Sequence, residues 1–145
     1  MELKSKDFKH NSNFSSEFTC DGKNVSPQLM WEDVPAGTKS FALSFTDPDC
    51  SGGIWLHWLV YEIPKDARQI ERASLPEGAK EVRNTFGKKS YGGPCPPSGT
   101  HRYIFTLYAL STENLEGVNK RNFLDKIEKH TIGRAGLKGL YKRRW

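Results

Sequence analysis

The sequence predicts a mainly β fold, a two-sheet sandwich with a helical segment at its C-terminal end. Three observations carry that expectation. Apolar residues alternate with a period of two in several short segments, turn residues separate those segments at close intervals, and a single late stretch has helical periodicity.

The strand segments are readable in chain order. In Ser40 to Asp47, Phe41, Leu43 and Phe45 alternate with Ala42, Ser44 and Thr46. From Ile54 to Ile63, Trp55, His57, Leu59 and Tyr61 are expected on one face and Leu56, Trp58 and Val60 on the other. From His101 to Leu110, His101, Tyr103, Phe105 and Leu107 stand opposite Ile104, Thr106, Tyr108 and Leu110. Apolar side chains on both faces imply a sheet that is covered on both sides. Asp21-Gly22, Asp47-Pro48, Gly52-Gly53, Pro76-Glu77-Gly78 and the run Gly92 to Gly99 punctuate the chain. Asn119 to His130 reads as a helix with Phe123, Leu124 and Ile127 on its apolar side, suited to capping one face of the sheet. A short helical turn is expected from Ala135 to Tyr141, although Gly136 and Gly139 weaken it.

The 145 residues fit one domain spanning 1–145, and an aromatic content of 12% with 13 glycines and 8 prolines suits short strands and many turns. The longest apolar runs, such as Ile54 to Val60, are too short to span a membrane. The first seven residues contain no apolar signal region, so a cytoplasmic location is the expectation. Three cysteines, Cys20, Cys50 and Cys95, without a C-x-x-C pair, lead us to expect free thiols, with neither a disulfide framework nor a structural zinc site. The net charge of +5 is concentrated after Asn119, where nine basic residues face two acids. This reads as a solvated helix face, and the absence of a basic-aromatic stripe elsewhere argues against a nucleic-acid partner.

Polar and aromatic residues that suit a plain strand poorly gather in two segments, Asp47 to Trp58 and Tyr91 to Tyr103. Strand parity places His57 beside Trp55 and His101 beside Tyr103, with Asp47 closing its own strand nearby. Pro94, Pro96 and Pro97 stiffen the second segment, as the rim of a preformed site requires. Each residue also has a plain structural reading: the histidines as core side chains, Asp47 and Asp49 as turn organisers, Trp55 and Trp58 as core. A metal site of Asp47, His57 and His101 lacks a compact spacing signature. Cys95 with His101 lacks the helix N-terminus or adjacent base that would activate a nucleophile. An anion pocket uses the whole set, because histidine N–H groups, a tyrosine hydroxyl and backbone amides donate to oxyanion oxygens. No catalytic residue, metal or cofactor is expected.

These two segments resemble the signature regions of the phosphatidylethanolamine-binding protein (PEBP) family, the Raf-kinase-inhibitor-like proteins. Asp47-Pro48-Asp49 with His57-Trp58 is similar to the first, and Gly93-Pro94-Cys95-Pro96-Pro97-Ser98-Gly99 with His101-Arg102-Tyr103 to the second. Phe18 to Trp31, Val34 to Phe41 and Leu137 to Tyr141 extend the likeness over nearly the whole chain, and the compact loops resemble the bacterial and archaeal branch. The resemblance implies a PEBP-like sandwich, with a large central antiparallel sheet, a smaller sheet and a C-terminal helical segment. It also implies a non-enzymatic protein whose pocket takes phosphate-like anions or phosphoryl head groups. The ligand-binding residues carried over are Asp47, Trp55, His57, Cys95, Pro97, His101 and Tyr103. The alternative it implies is a protein-interaction module, a serine protease inhibitor or kinase regulator acting through surface loops; a second copy of the chain is a further partner to consider. Cys50 stands where the family's first motif often has proline or alanine. The tyrosine that animal members carry near Gly52 is absent, which narrows the expectation from phospholipid head groups toward simple anions.

Overall fold

Alternation along the chain becomes two packed sheets. The structure, a computed structural model, describes residues 1–143; the last two of the C-terminal basic stretch, Arg144 and Trp145, lie outside the described residues. Strands β1 (Glu2–Lys4), β3 (Leu29–Glu32) and β6 (Gln69–Ile70) form a small antiparallel sheet in the order β1-β3-β6. The larger sheet runs β2-β9-β8-β4-β5-β7. Its members are β2 (Ser12–Asn13), β4 (Ser40–Asp47), β5 (Trp55–Pro64), β7 (Lys80–Val82), β8 (His101–Leu110) and β9 (Thr131–Tyr141). All its pairings are antiparallel except the short edge contact of β2 with β9.

Both faces of the large sheet are covered, for different reasons. Phe41, Leu43 and Phe45 of β4, with Phe105 and Leu107 of β8, meet Leu3, Leu29, Trp31 and Ile70 of the small sheet in the main core. On the other face Ala42, Leu59, Tyr108 and Leu110 pack against Phe123 and Ile127 of the one α-helix among the described residues, α1 (Phe123–Glu128). The helix therefore caps the sheet as the sequence implies. It is shorter than expected, because Asn119 and Asn122 side chains accept backbone N–H groups of their own turn and hold residues 119–122 out of the helix. Leu124 is 38% exposed; Phe123 and Ile127, four apart, share the buried side without it.

The helical turn expected from Ala135 to Tyr141 is instead the second half of β9, paired with β8 from Leu110↔Thr131 to His101↔Tyr141. Here Gly136 has room to spare, and Gly139 is a close-approach position in the strand. A Cβ on Gly139 would lie 2.4 Å from the Phe14 ring, which packs flat over that point. Gly139→Ala is expected to cost about 1–3 kcal/mol by overpacking, measurable as a lowered denaturation midpoint.

The thiol expectation is also overturned. Cys20 and Cys95 form a disulfide with a Cα–Cα distance of 5.4 Å, and Cys50 alone remains a free thiol. Their separation of 75 residues is invisible to local spacing, and only the fold brings the turn after the 3₁₀ segment Ser16–Phe18 against the Gly92–Gly99 loop.

Parity along β5 is broken at two register shifts, between Val60 and Ile63 and, nearer the site, between Leu56 and Trp58. Phe45 pairs with Trp58 but Thr46 with Leu56, so His57 is an extra residue in a β-bulge. The bulge turns Trp58 and Val60 onto the main-core face, the face already occupied by Trp55 and His57, and leaves Leu56, Leu59 and Tyr61 toward the helix side.

Candidate functional site

Three strand ends meet at one end of the large sheet: the last residue of β4, the first residues of β5 and the first residues of β8. Between them opens a cavity of about 510 Å³. Its wall includes all seven residues expected from the sequence, Asp47, Trp55, His57, Cys95, Pro97, His101 and Tyr103.

Asp47 is the hub. It is 1% exposed, and its Oδ2 accepts from His101 Nδ1 at 2.7 Å and from the Cys50 thiol at 3.3 Å. Oδ1 accepts the Asp49 backbone N–H at 2.8 Å. One oxygen of Asp47 thus organises the turn, and the other is shared by His101 and Cys50 on the cavity wall. Asp49 extends the network outward: its carboxylate accepts the Arg102 backbone N–H at 2.8 Å and the Arg102 guanidinium at 2.7 Å. Those Arg102 bonds hold the Asp49 carboxyl down at about 2. Burial, reinforced by the hydrogen bond to Asp47, pushes the Cys50 thiol up to about 11.

His57 is 2% exposed and is fixed by its surroundings. Its Nδ1 donates to the Gly92 carbonyl at 2.7 Å, which leaves Nε2 as the remaining ring nitrogen. Its own carbonyl accepts Gly92 N–H at 3.1 Å and the Asn84 amide at 2.9 Å. The imidazole lies 5.1 Å from the Phe86 ring and 5.4 Å from Tyr103, both edge-on. Burial lowers its pKa from the ordinary 6.5, overriding the Gly92 bond and the Asp47 charge that act to raise it.

That depression has a consequence for stability. Between the ordinary value and the lower folded value, the unfolded chain binds the extra proton, so stability is full above about 6.5 and falls as pH drops. Urea midpoints measured from pH 7.5 to 5 are expected to decline on the acid side. His57→Asn, which keeps the donor to Gly92, should flatten that decline.

Two residues of the cavity wall carry a buried polar atom without a hydrogen bond. The Trp55 indole N–H is buried without a partner, and the Tyr103 hydroxyl, buried beside the Asp47 carboxylate and the Cys95 backbone, makes no hydrogen bond of good geometry to either. Burial and the nearby Asp47 carboxylate push the Tyr103 phenol up, so it is a neutral donor at any working pH.

The rim loop is rigid because it is tied at several points. Besides the disulfide, Pro94 O accepts Cys20 N–H at 3.1 Å, Gly93 N–H donates to the Asn24 side chain at 2.8 Å, and the Tyr91 hydroxyl donates to Phe18 O at 2.7 Å. A Cβ at Gly93 would sit 2.3 Å from Phe18 O, so only glycine permits this approach. Cys95 lines the cavity as half of a disulfide, not as a thiol. Sequence reasoning missed Phe86, Thr85 and Cys50 as wall residues. Phe86 sits in a turn segment with no periodicity to mark it, whereas Cys50 lay three residues after Asp47 and signalled only as a stray thiol.

Comparison with known proteins agrees with this fold. The family model for phosphatidylethanolamine-binding protein matches residues 4–142. A UPF0098 protein of Methanothermobacter thermautotrophicus is 44% identical over 150 residues, covering 99% of each chain. A UPF0098 protein of Aquifex aeolicus is 43% identical over 152 residues, covering 99% of this chain and 89% of that one. Among solved structures, Escherichia coli YbcL, described as a member of the mammalian PEBP family, superposes with a TM-score of 0.94 at 32% identity, covering 99% of this chain and 98% of YbcL. The homolog CT736 of Chlamydia trachomatis gives 0.90 at 33% identity, covering 99% of this chain and 97% of CT736.

A two-sheet β fold with a pocket where the strand ends converge is the class these observations define. The chain belongs to the phosphatidylethanolamine-binding protein family. The names of these relatives carry no enzymatic activity. No helix among the described residues is long and apolar enough to cross a membrane.

Proposed function

We propose that this protein is a non-enzymatic binding protein whose cavity takes a small oxyanion, phosphate or the phosphoryl part of a head group. The pair of buried, unpartnered donors supports this most directly. Leaving a buried donor unsatisfied costs about 1–3 kcal/mol, and Trp55 and Tyr103, the residues that carry these donors, both line one cavity. An oxyanion satisfies both at once. His101, held by Asp47, and His57, held by Gly92, each keep Nε2 for the ligand. His57 donates that nitrogen to an anion only when protonated, so sulfate, which carries no proton near neutrality, is expected to bind more tightly as pH falls. Phosphate can bring its own proton and donate to a neutral imidazole. Pro97 completes the rim, and Cys95 contributes shape through its disulfide.

Calorimetry with phosphate in the presence of a chelator tests the reading. Tyr103→Phe and Trp55→Phe keep the aromatic bodies and are each expected to weaken binding by roughly tenfold, the worth of about 1.4 kcal/mol. Undiminished affinity in both variants would remove the support these donors give.

A second reading follows from the mouth of the cavity, where Ile54 is 60% exposed and Phe86 41% exposed. Those side chains favour a ligand with an apolar portion or a protein partner, such as a serine protease or a kinase, resting on the rim. Ile54→Ser with Phe86→Ser separates the two: a rim partner is lost while phosphate affinity is kept. The cytoplasmic location belongs to this proposal as well. It loses the support of reduced thiols, because a disulfide such as Cys20–Cys95 persists mainly in oxidising compartments or in thermophiles.

A further inference from the structure

Asp47, Cys50 and His101 bring a carboxylate, a thiol and an imidazole to one point on the cavity wall. One ligand atom of each lies within 4.8 Å of the other two. Two of the three residues are buried, and the third is half-buried. Bonds of about 2.0–2.3 Å in a tetrahedral site place ligand atoms roughly 3.3–3.7 Å apart, so the cluster needs little rearrangement to close on a cation.

We propose that this triad binds a zinc-class divalent cation, with its fourth position open to the cavity. The hydrogen bonds already point that way. The Nδ1–H of His101 and the S–H of Cys50 both donate to Asp47 Oδ2, at 2.7 Å and 3.3 Å. A cation takes the place of those two protons and serves the same carboxylate. The other oxygen of Asp47 is held by Asp49 N–H, and Asp49 by the guanidinium of Arg102. Such outer bonds orient a ligand before the metal arrives.

The donor set selects the metal. A thiolate with an imidazole and one carboxylate suits Zn²⁺ or Co²⁺ and is poor for Mg²⁺ or Ca²⁺. His57 stands outside the cluster, since the ligand atoms that converge within 4.8 Å belong to Asp47, Cys50 and His101. The two-histidine site considered from the sequence is thus replaced by one in which Cys50 supplies the third ligand. Trp55 and Tyr103 line the same cavity. This inference stands apart from the anion reading, which is tested with chelator present.

The test uses the full chain with its disulfide intact, stripped of metal and titrated with Co²⁺. A thiolate-to-cobalt charge-transfer band in the near ultraviolet is expected to saturate at one equivalent, to be displaced by Zn²⁺ and to be unaffected by Mg²⁺. Cys50→Ser keeps a donor to Asp47; it should abolish the band and weaken Zn²⁺ binding by about tenfold or more. His101→Asn should likewise lose stoichiometric binding. In the wild-type protein Zn²⁺ should slow alkylation of Cys50 about tenfold, a readout that needs no variant. Absence of a band at saturating Co²⁺, a band that survives either substitution, or alkylation unchanged by Zn²⁺ would each overturn the proposal.

Discussion

Removing the Cys20–Cys95 disulfide is expected to lower folding stability by about 4 kcal/mol, the larger of the two effects developed below. The bond closes a loop with a sequence separation of 75 residues, and the chain-entropy model assigns roughly 4–5 kcal/mol to a closure of that length. In the folded state, bonds of Tyr91, Gly93 and Cys20 join the same two segments with or without the sulfurs. Comparison of the wild-type chain with the double variant Cys20→Ala, Cys95→Ala should show the urea midpoint falling by roughly 2 M for a slope of about 2 kcal/mol/M. A shift below about 0.5 M would mean that the loop is held by its hydrogen bonds alone. The consequence for function lies in the rim. Cys95 and Pro97 line the cavity, so the double variant should also bind phosphate more weakly than its residual stability alone would suggest.

Asp47→Ala is expected to cost about 3 kcal/mol and to disable the cavity. The carboxylate is nearly inaccessible and accepts from three donors: His101 Nδ1, the Cys50 thiol and Asp49 N–H. Alanine leaves all three donors facing a void. Asp47→Asn keeps an acceptor at one oxygen and introduces a donor where two donors already point, so a loss of about 1–2 kcal/mol is expected. Denaturation curves of the two variants should therefore rank wild type, asparagine, alanine in falling order. Equal stability of Asp47→Ala and wild type would show that the network carries no weight in folding.

The strands were legible because they are long and packed on both faces. β4 and β8 fall at the bounds their alternation gives, and β5 begins one residue later than read and ends one residue beyond. Phe41, Leu43 and Phe45 point to one core and Ala42 to the other, so the pattern itself reports both neighbours. β9 was missed because Gly136 and Gly139 look like flaws in a helix. In the fold Gly139 is a contact point under Phe14, as is Gly133, earlier in the same strand, under Pro35. The bulge at His57 depends on register with β4, which no single strand encodes. The disulfide joins residues 75 apart, and an odd cysteine count argued against any pairing at all. At the site, parity placed His57 with Trp55 and His101 with Tyr103, and the cavity gathers all four. What parity could not supply was the contribution of other segments. Phe86 reaches His57 from a turn, and Cys50 reaches Asp47 because the chain curls back immediately after β4.

The central claim is that Asp47, His57 and His101 belong to one anion-binding cavity, and histidine NMR during a phosphate titration tests it most directly. With chelator present, the ring resonances of His57 and His101 should shift together along one saturation curve, with a dissociation constant of about 1 mM or tighter. His10 and His130, outside the cavity, should stay unmoved, and His57→Ala should abolish the response of His101. Resonances of His57 and His101 that stay fixed to about 50 mM phosphate, more than tenfold above that constant, would contradict the account.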